Sequence, residues 1–195
     1  MATATEFDPE VGVEPPIVEP EKHYEVVNGR VVEEPPLGAH EVWIASMLDQ
    51  SMGHFATTGC LGRVITEVLF VIDAGRRLRR RPDVAFVSRE RWPLNRKIPR
   101  EAAWDVVPDL AVEITSPTDL IDDLRDKIDE YFAAGVRRVW VVYPKPTRIY
   151  DYESPTVVRI LQAGEELEGG AILPGFRIPL ARLFETEESE PTPVA

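Results

Sequence analysis

Residues 109–143 place a strand, a helix and a second strand in immediate succession, and that order constrains the fold more than any other stretch of the chain. "DLAVEIT" alternates two faces, with Leu110, Val112 and Ile114 on one and Ala111, Glu113 and Thr115 on the other. "SPTDLIDDLRDKIDEYFAAG" then reads as an amphipathic helix. Ser116 is its N-cap, Pro117 its first residue, Asp119 an anion in the first turn where the dipole favours one, and Gly135 the residue past its end. The apolar stripe runs through Leu120, Leu124, Ile128 and Tyr131, with Ile121 and Phe132 beside it. "VRRVWVVYP" follows as a buried strand. A strand-helix-strand crossover makes its two strands parallel neighbours, so the expected class is α/β (α+β), a mixed central β-sheet flanked by helices.

The flanking segments fit that plan. In "YEVVNGRVVEE" two β-branched runs surround Asn28-Gly29, the sequence of a type I′ turn, and predict an N-terminal β-hairpin. From His40, Trp43, Ile44, Met47, Leu48 and Met52 recur at helical spacing before Gly53. "RVITEVLFVI" and "PDVAFVS" read as adjacent antiparallel strands separated by an Asp73-Ala74-Gly75 turn and a block of arginines. A polar loop holding Trp92 and Trp104 comes next. "RIYDYE" is expected to pair back on the strand before Pro144. The first 22 residues and "ETEESEPTPVA" at residues 185–195 are Pro- and Glu-rich without apolar period, so both are expected to be disordered acidic arms around one domain at 23–184.

Charge placement matters more here than its sum of -12. Residues 1–34 hold nine acids and two bases, and residues 185–195 hold four acids and no base, which leaves residues 35–184 with 21 acids against 20 bases. A near-neutral body can present a basic patch to a polyanion. The apolar runs "VLFVI" and "VWVVY" are far short of the roughly 20 residues of a membrane span, and the N-terminus has no leader pattern, so no membrane partner and a cytoplasmic location are expected. One cysteine, Cys60, excludes an internal disulfide and a cysteine-rich zinc site.

The acids carry the chemistry. Asp83 opens one predicted central strand and Glu113 lies within another, so the two carboxylates can converge, and their repulsion then calls for a proton or a cation. A hard divalent metal suits them, since magnesium commonly takes one or two carboxylates and fills its shell with water and substrate phosphate. Asp109 competes for the role, but four residues of strand put it about 13 Å from Glu113, and it reads as a strand entry. Lys127 borders the buried helix stripe, three residues after Leu124 and four before Tyr131. It can lean toward the carboxylates and stabilise charge developing on a phosphate, or pair with Asp123 or Glu130 on the helix surface.

"RRPDVAFVS", "VPDLAVEITSPTDL", "DKIDEYFAAGVRRVWVVYP" and "LPGFRIPLARLF" together resemble the bacterial Uma-type restriction endonuclease family, a branch of the PD-(D/E)XK nuclease superfamily. The resemblance spans about Tyr24 to Phe184. It implies a restriction-endonuclease-like fold and a metal-dependent phosphodiesterase in which Asp83 and Glu113 ligate magnesium or manganese, with the carbonyl of Ile114 as a third ligand. The superfamily lysine usually stands two residues after the second acid, where this chain has Thr115. Related branches carry it on the following helix, which matches Lys127. His40 resembles the histidine that Uma-type sequences have at the head of their first helix; it either points to the acids as a catalytic group or serves as a core or capping residue.

The block "RRLRRR" supplies Arg76, Arg77, Arg79, Arg80 and Arg81, whose guanidinium groups can grip phosphates of a nucleic acid, most simply DNA, without reading bases. The alternative is an edge strand protected by charge. The leading reading is a magnesium- or manganese-dependent endonuclease, a homodimer if both strands are cut; the other is a catalytically inactive nucleic-acid-binding or protein-interaction module on the same fold.

Overall fold

The chain enters through a hairpin of β1 (Tyr24–Val27) and β2 (Arg30–Glu33), with Val27 opposite Arg30, and Asn28 (φ 53°) and Gly29 (φ 79°) both take the left-handed backbone that a type I′ turn demands. The structure, a computed structural model, describes residues 23–116 and 120–185. Both acidic arms therefore fall outside the described residues, apart from Glu185 at the inner end of the second.

Helix α1 spans Ala39–Thr58 and is followed by strands β3 (Gly62–Thr66), β4 (Leu69–Asp73), β5 (Leu78–Arg80), β6 (Val84–Ser88), β7 (Ala103–Trp104) and β8 (Leu110–Ile114). Helix α2 (Ile121–Ala134) leads to β9 (Arg138–Tyr143), β10 (Arg148–Ser154), β11 (Val157–Leu161), β12 (Glu166–Glu168), β13 (Arg177–Pro179) and the short α3 (Leu180–Leu183). Six strands form a mixed central sheet in the order β11-β10-β9-β8-β6-β3, with β8 and β9 parallel as the crossover requires. A second sheet of order β2-β1-β5-β4-β7 lies on one side.

Strand alternation sorts the core into two layers. Val84, Phe86, Leu110, Val112, Trp140 and Val142 face Ile44, Leu48 and Met52 of α1. Ala85, Val87, Ala111, Val139 and Val141 face Ile128 and Tyr131 of α2 and Phe70, Ile72 and Leu78 of the second sheet. Each large side chain buried this way contributes about 1.5–3 kcal/mol by leaving water, so a sheet covered on both faces is the main stabilising unit. The same alternation carries Glu113 to the α2 side, two residues on from Ala111.

Several local expectations change. "RVITEVLFVI" is two strands in two sheets, because Glu67 takes a left-handed φ of 54° and turns the chain out of one sheet into the other. Helix α1 runs on through Gly53, since Met52 and Ala56 extend its buried stripe. In α2 the stripe begins at Leu124: Ile121 is 83% exposed and Leu120, 66% exposed, precedes the helix. Ser116 lies outside α2, and the roles expected of Pro117 and Asp119 fall outside the described residues. Trp92 and Trp104 are buried, the latter in β7 alongside β4. No helix among the described residues is long and apolar enough to cross a membrane.

Candidate active site

The antiparallel pairing of β6 with β8 sets Val84 opposite Val112, which brings Asp83, one residue earlier, beside Glu113, one residue later. Asp83 Oδ2 accepts the Ile114 N–H at 2.6 Å. Among the described residues nothing else bonds this carboxylate, so its second oxygen is left to the cavity that both acids line. Glu113 is 7% exposed. Its Oε1 accepts a 2.6 Å hydrogen bond from the Tyr131 hydroxyl, and its Oε2 lies 3.4 Å from Lys127 Nζ. Lys127 and Tyr131 stand one helical turn apart on α2, so one face of that helix delivers both.

The hairpin adds two further acids. Glu25 of β1 is buried and sits 3.4 Å from Lys127 Nζ, and Glu34, just after β2, bonds the same ammonium. Glu25 also accepts the Arg81 N–H at 2.9 Å and pairs with Arg80, whose other side pairs with Glu130 of α2. Five carboxylates (Glu25, Glu34, Asp83, Glu113 and Glu130) thus surround two cations, Arg80 and Lys127. Together they line part of a cavity of about 830 Å³.

Electrostatics follow from that surplus. Burial pushes the Asp83 carboxyl well above the usual range, the charge of Glu113 adds to it, and the Ile114 N–H draws it partly back. Burial raises Glu113 as well, against the pull of Lys127. Glu34 is pushed up to about 7 by burial and then by Glu25. Burial alone would lower Lys127, but Glu113, Glu25 and Glu34 outweigh it and hold the ammonium charged above the ordinary lysine range. Tyr131 is raised by burial and by Glu113, so it stays a neutral donor.

The donor chemistry fits a hard divalent cation: two adjacent carboxylates, one oxygen without a partner among the described residues, and a local excess of negative charge. Among the described residues no three of His, Cys, Asp and Glu gather as a ready-made metal cluster, so such an ion would complete its shell with main-chain oxygen, water or substrate.

Of the predicted residues, Asp83, Glu113, Ile114 and Lys127 come together around this cavity. His40 does not: it is exposed in the first turn of α1 and lines no part of the cavity. The arginine block divides. Its strand, β5, is interior, between β1 and β4, so it is neither an edge nor a free comb of cations. Arg80 is a correction, since it is 6% exposed and consumed by Glu25 and Glu130. Arg81 donates to the carbonyls of Glu67 and Tyr24 at 2.7 and 3.2 Å. Arg79 is half-buried, and Arg76 and Arg77 remain exposed in the turn. Asp109 takes the strand-entry role, its carboxylate accepting Ser88 N–H at 2.8 Å and Arg91 Nε at 3.0 Å. Thr115 bonds Val142 O through its hydroxyl at 3.2 Å. Sequence reasoning missed Glu25 and Glu34; the signal was an acid inside β1 and another just past the end of β2, where apolar residues would otherwise pack.

A family model described as Uma2, putative restriction endonuclease, matches residues 13–181. Among solved structures, the chain is similar to a putative nuclease belonging to DUF820 from Anabaena variabilis ATCC 29413, with a TM-score of 0.68 at 16% identity over 83% of this chain and 89% of that one. At that identity the likeness is one of fold. No curated protein matches. Because the family match runs through the hairpin, both carboxylate strands and α2, the chain belongs to the Uma2 family of putative restriction endonucleases.

Proposed function

We propose that this protein is a divalent-metal-dependent endonuclease that hydrolyses phosphodiester bonds in DNA, with Asp83, Glu113 and the Ile114 carbonyl holding magnesium or manganese. The observation that carries the reading is the adjacency of Asp83 and Glu113 that the β6–β8 register produces, with one Asp83 oxygen unclaimed among the described residues. A bound divalent ion would supply Lewis acidity toward a phosphoryl oxygen and a lowered pKa for a nucleophilic water.

The chain's own groups do the rest. Tyr131 clamps one Glu113 oxygen and so orients the other. The Ile114 N–H does the same for Asp83. Lys127, charged and 3.4 Å from Glu113, is the cation available to a phosphate whose negative charge grows during attack. Exposed Arg76 and Arg77 at the β4–β5 turn can meet the backbone of the same strand, whereas Arg80 maintains the site from within. His40 stays outside this scheme.

The test is cleavage of supercoiled plasmid by purified protein with magnesium or manganese. Nicking should vanish with EDTA and with Glu113→Gln, while the variant keeps its fold by circular dichroism. Metal-loaded protein that cuts neither DNA nor RNA would sink the reading. A second reading is an inactive binding module, favoured by Thr115 at the usual lysine position and by the hold of Glu34 on Lys127. That module would bind nucleic acid equally with and without EDTA.

A further inference from the structure

Residues 89–102 join β6 to β7 with no helix or strand of their own, a length of irregular chain that compact domains keep mainly for function. The segment is pinned from beneath. Trp92 is buried and meets Trp104 edge-on, ring centroids 5.2 Å apart. Arg91 donates to Asp109 Oδ1 at 3.0 Å and to the carbonyls of Val107 and Gly135 at 2.9 and 2.6 Å. Arg63 reaches across from β3 to four loop carbonyls, the shortest contact being 2.7 Å to Leu94.

Two arginines are thus spent on shaping the loop, and what it shows to solvent is cationic. Arg89, Arg96, Lys97 and Arg100 are all exposed, and none forms an ion pair with a carboxylate among the described residues. Arg96 sits over Trp92, its Cζ 3.5 Å from the ring centroid, and is held there by cation–π attraction while it remains exposed. Its exposed charges are these four bases against two acids, Glu90 and Glu101, in a chain of net charge -12. Local charge of that sign, held on a fixed backbone, attracts an anion that is itself extended.

We propose that this loop is a second nucleic-acid contact surface, gripping the sugar-phosphate backbone of duplex DNA at a distance from the carboxylate cavity. Asp83 immediately precedes β6 and Arg89 immediately follows it. Six steps of extended chain separate them by about 20 Å. At 3.4 Å per base pair that is roughly six base pairs. A duplex long enough to span the strand would therefore meet attraction at one end and the acids at the other. The surface rests on the endonuclease reading only for the choice of ligand. Leu94 and Ile98 are also exposed, but the loop has no amphipathic helix to lay in a lipid interface, so DNA is the better match than an anionic membrane.

The experiment is fluorescence anisotropy in EDTA with a labelled 30-base-pair duplex, comparing wild type with K97E/R100E and with K145E/R182E, an equal charge change elsewhere on the surface. We expect K97E/R100E to weaken binding at least tenfold and to flatten the slope of log Kd against log salt by about two, and K145E/R182E to cost less than threefold. Equal losses in the two variants, no loss in K97E/R100E, or no wild-type binding at low salt each overturn the proposal. So does tighter wild-type binding to phosphatidylserine vesicles than to the duplex. Because EDTA removes cleavage from the assay, loop-dependent binding by a protein that later cuts nothing with metal would leave this surface standing and remove the endonuclease reading alone.

Discussion

The hydroxyl of Tyr131 donates a 2.6 Å hydrogen bond to Oε1 of Glu113 and so decides which oxygen of that carboxylate stays available beside Lys127. Tyr131 is fully buried, on a helix packed against the strand that carries Glu113, and this contact gives the acid one rotamer. Removing it as Tyr131→Phe should lower manganese affinity by about tenfold or more, as loss of an outer partner commonly does. Calorimetric titration of wild type and variant checks this; equal affinities would mean that Tyr131 only fills space.

Asp83 is costly to keep charged without a counter-ion, because burial and Glu113 both oppose its ionisation. Asp83→Asn should therefore raise the melting temperature of metal-free protein at pH 8 by a few degrees, while abolishing the further rise that manganese gives wild type. Thermal melts with EDTA and with manganese separate these outcomes. A variant less stable than wild type in EDTA would show that the carboxylate is satisfied without a cation.

Glu34 should make stability depend on pH in a stated direction. Its carboxyl is raised from 4.5 to about 7, so the folded state binds the proton more tightly than the unfolded chain. Its contribution is present in full below about pH 4.5 and is lost as pH rises to about 7, on the order of 3 kcal/mol at most. In Glu34→Gln this component of the slope disappears. Urea unfolding in EDTA at pH 5 and pH 7.5 reads the difference, and parallel pH profiles for the two proteins would contradict it.

Lys127 neutralises three carboxylates at once, from β1, from the segment after β2 and from β8. Replacing it as Lys127→Met leaves those charges facing one another and should cost about 3–5 kcal/mol, whereas Lys127→Arg should cost much less. Unfolding curves at pH 8 provide the check. A loss under 1 kcal/mol would mean that the acids are already protonated.

The central architecture could be read in advance because it is written in local patterns. The alternation of "DLAVEIT", the helix stop at Gly135 and the Asn28-Gly29 turn each report backbone geometry within a few residues, and each stands in the structure as expected. The adjacency of Asp83 and Glu113 is legible because one carboxylate opens a strand run and the other breaks the apolar pattern inside the next. The environment of Arg80 was not readable, since its neighbours Glu25 and Glu130 stand 55 and 50 positions away and only the stacking of one sheet on α2 brings them together. The split at Glu67 was hidden for a different reason: the apolar run on either side hides a single residue with positive φ. His40, which the resemblance offered as a catalytic or as a core or capping residue, is exposed and lines no part of the cavity, because a place at the head of a helix does not say whether that first turn faces the core.

Arg80 links Glu25 of the entering hairpin to Glu130 of α2, and Lys127 sits in the same arrangement. The charge balance of the pocket is thus closed by groups more than a hundred positions apart. A nascent chain still lacking α2 has the hairpin acids and both β-strand acids but neither Lys127 nor Tyr131. During synthesis the pocket is consequently a late event, assembled only once α2 has left the ribosome, and an abortive fragment ending before α2 would carry mutually repelling acids with Arg80 but not Lys127 to offset them.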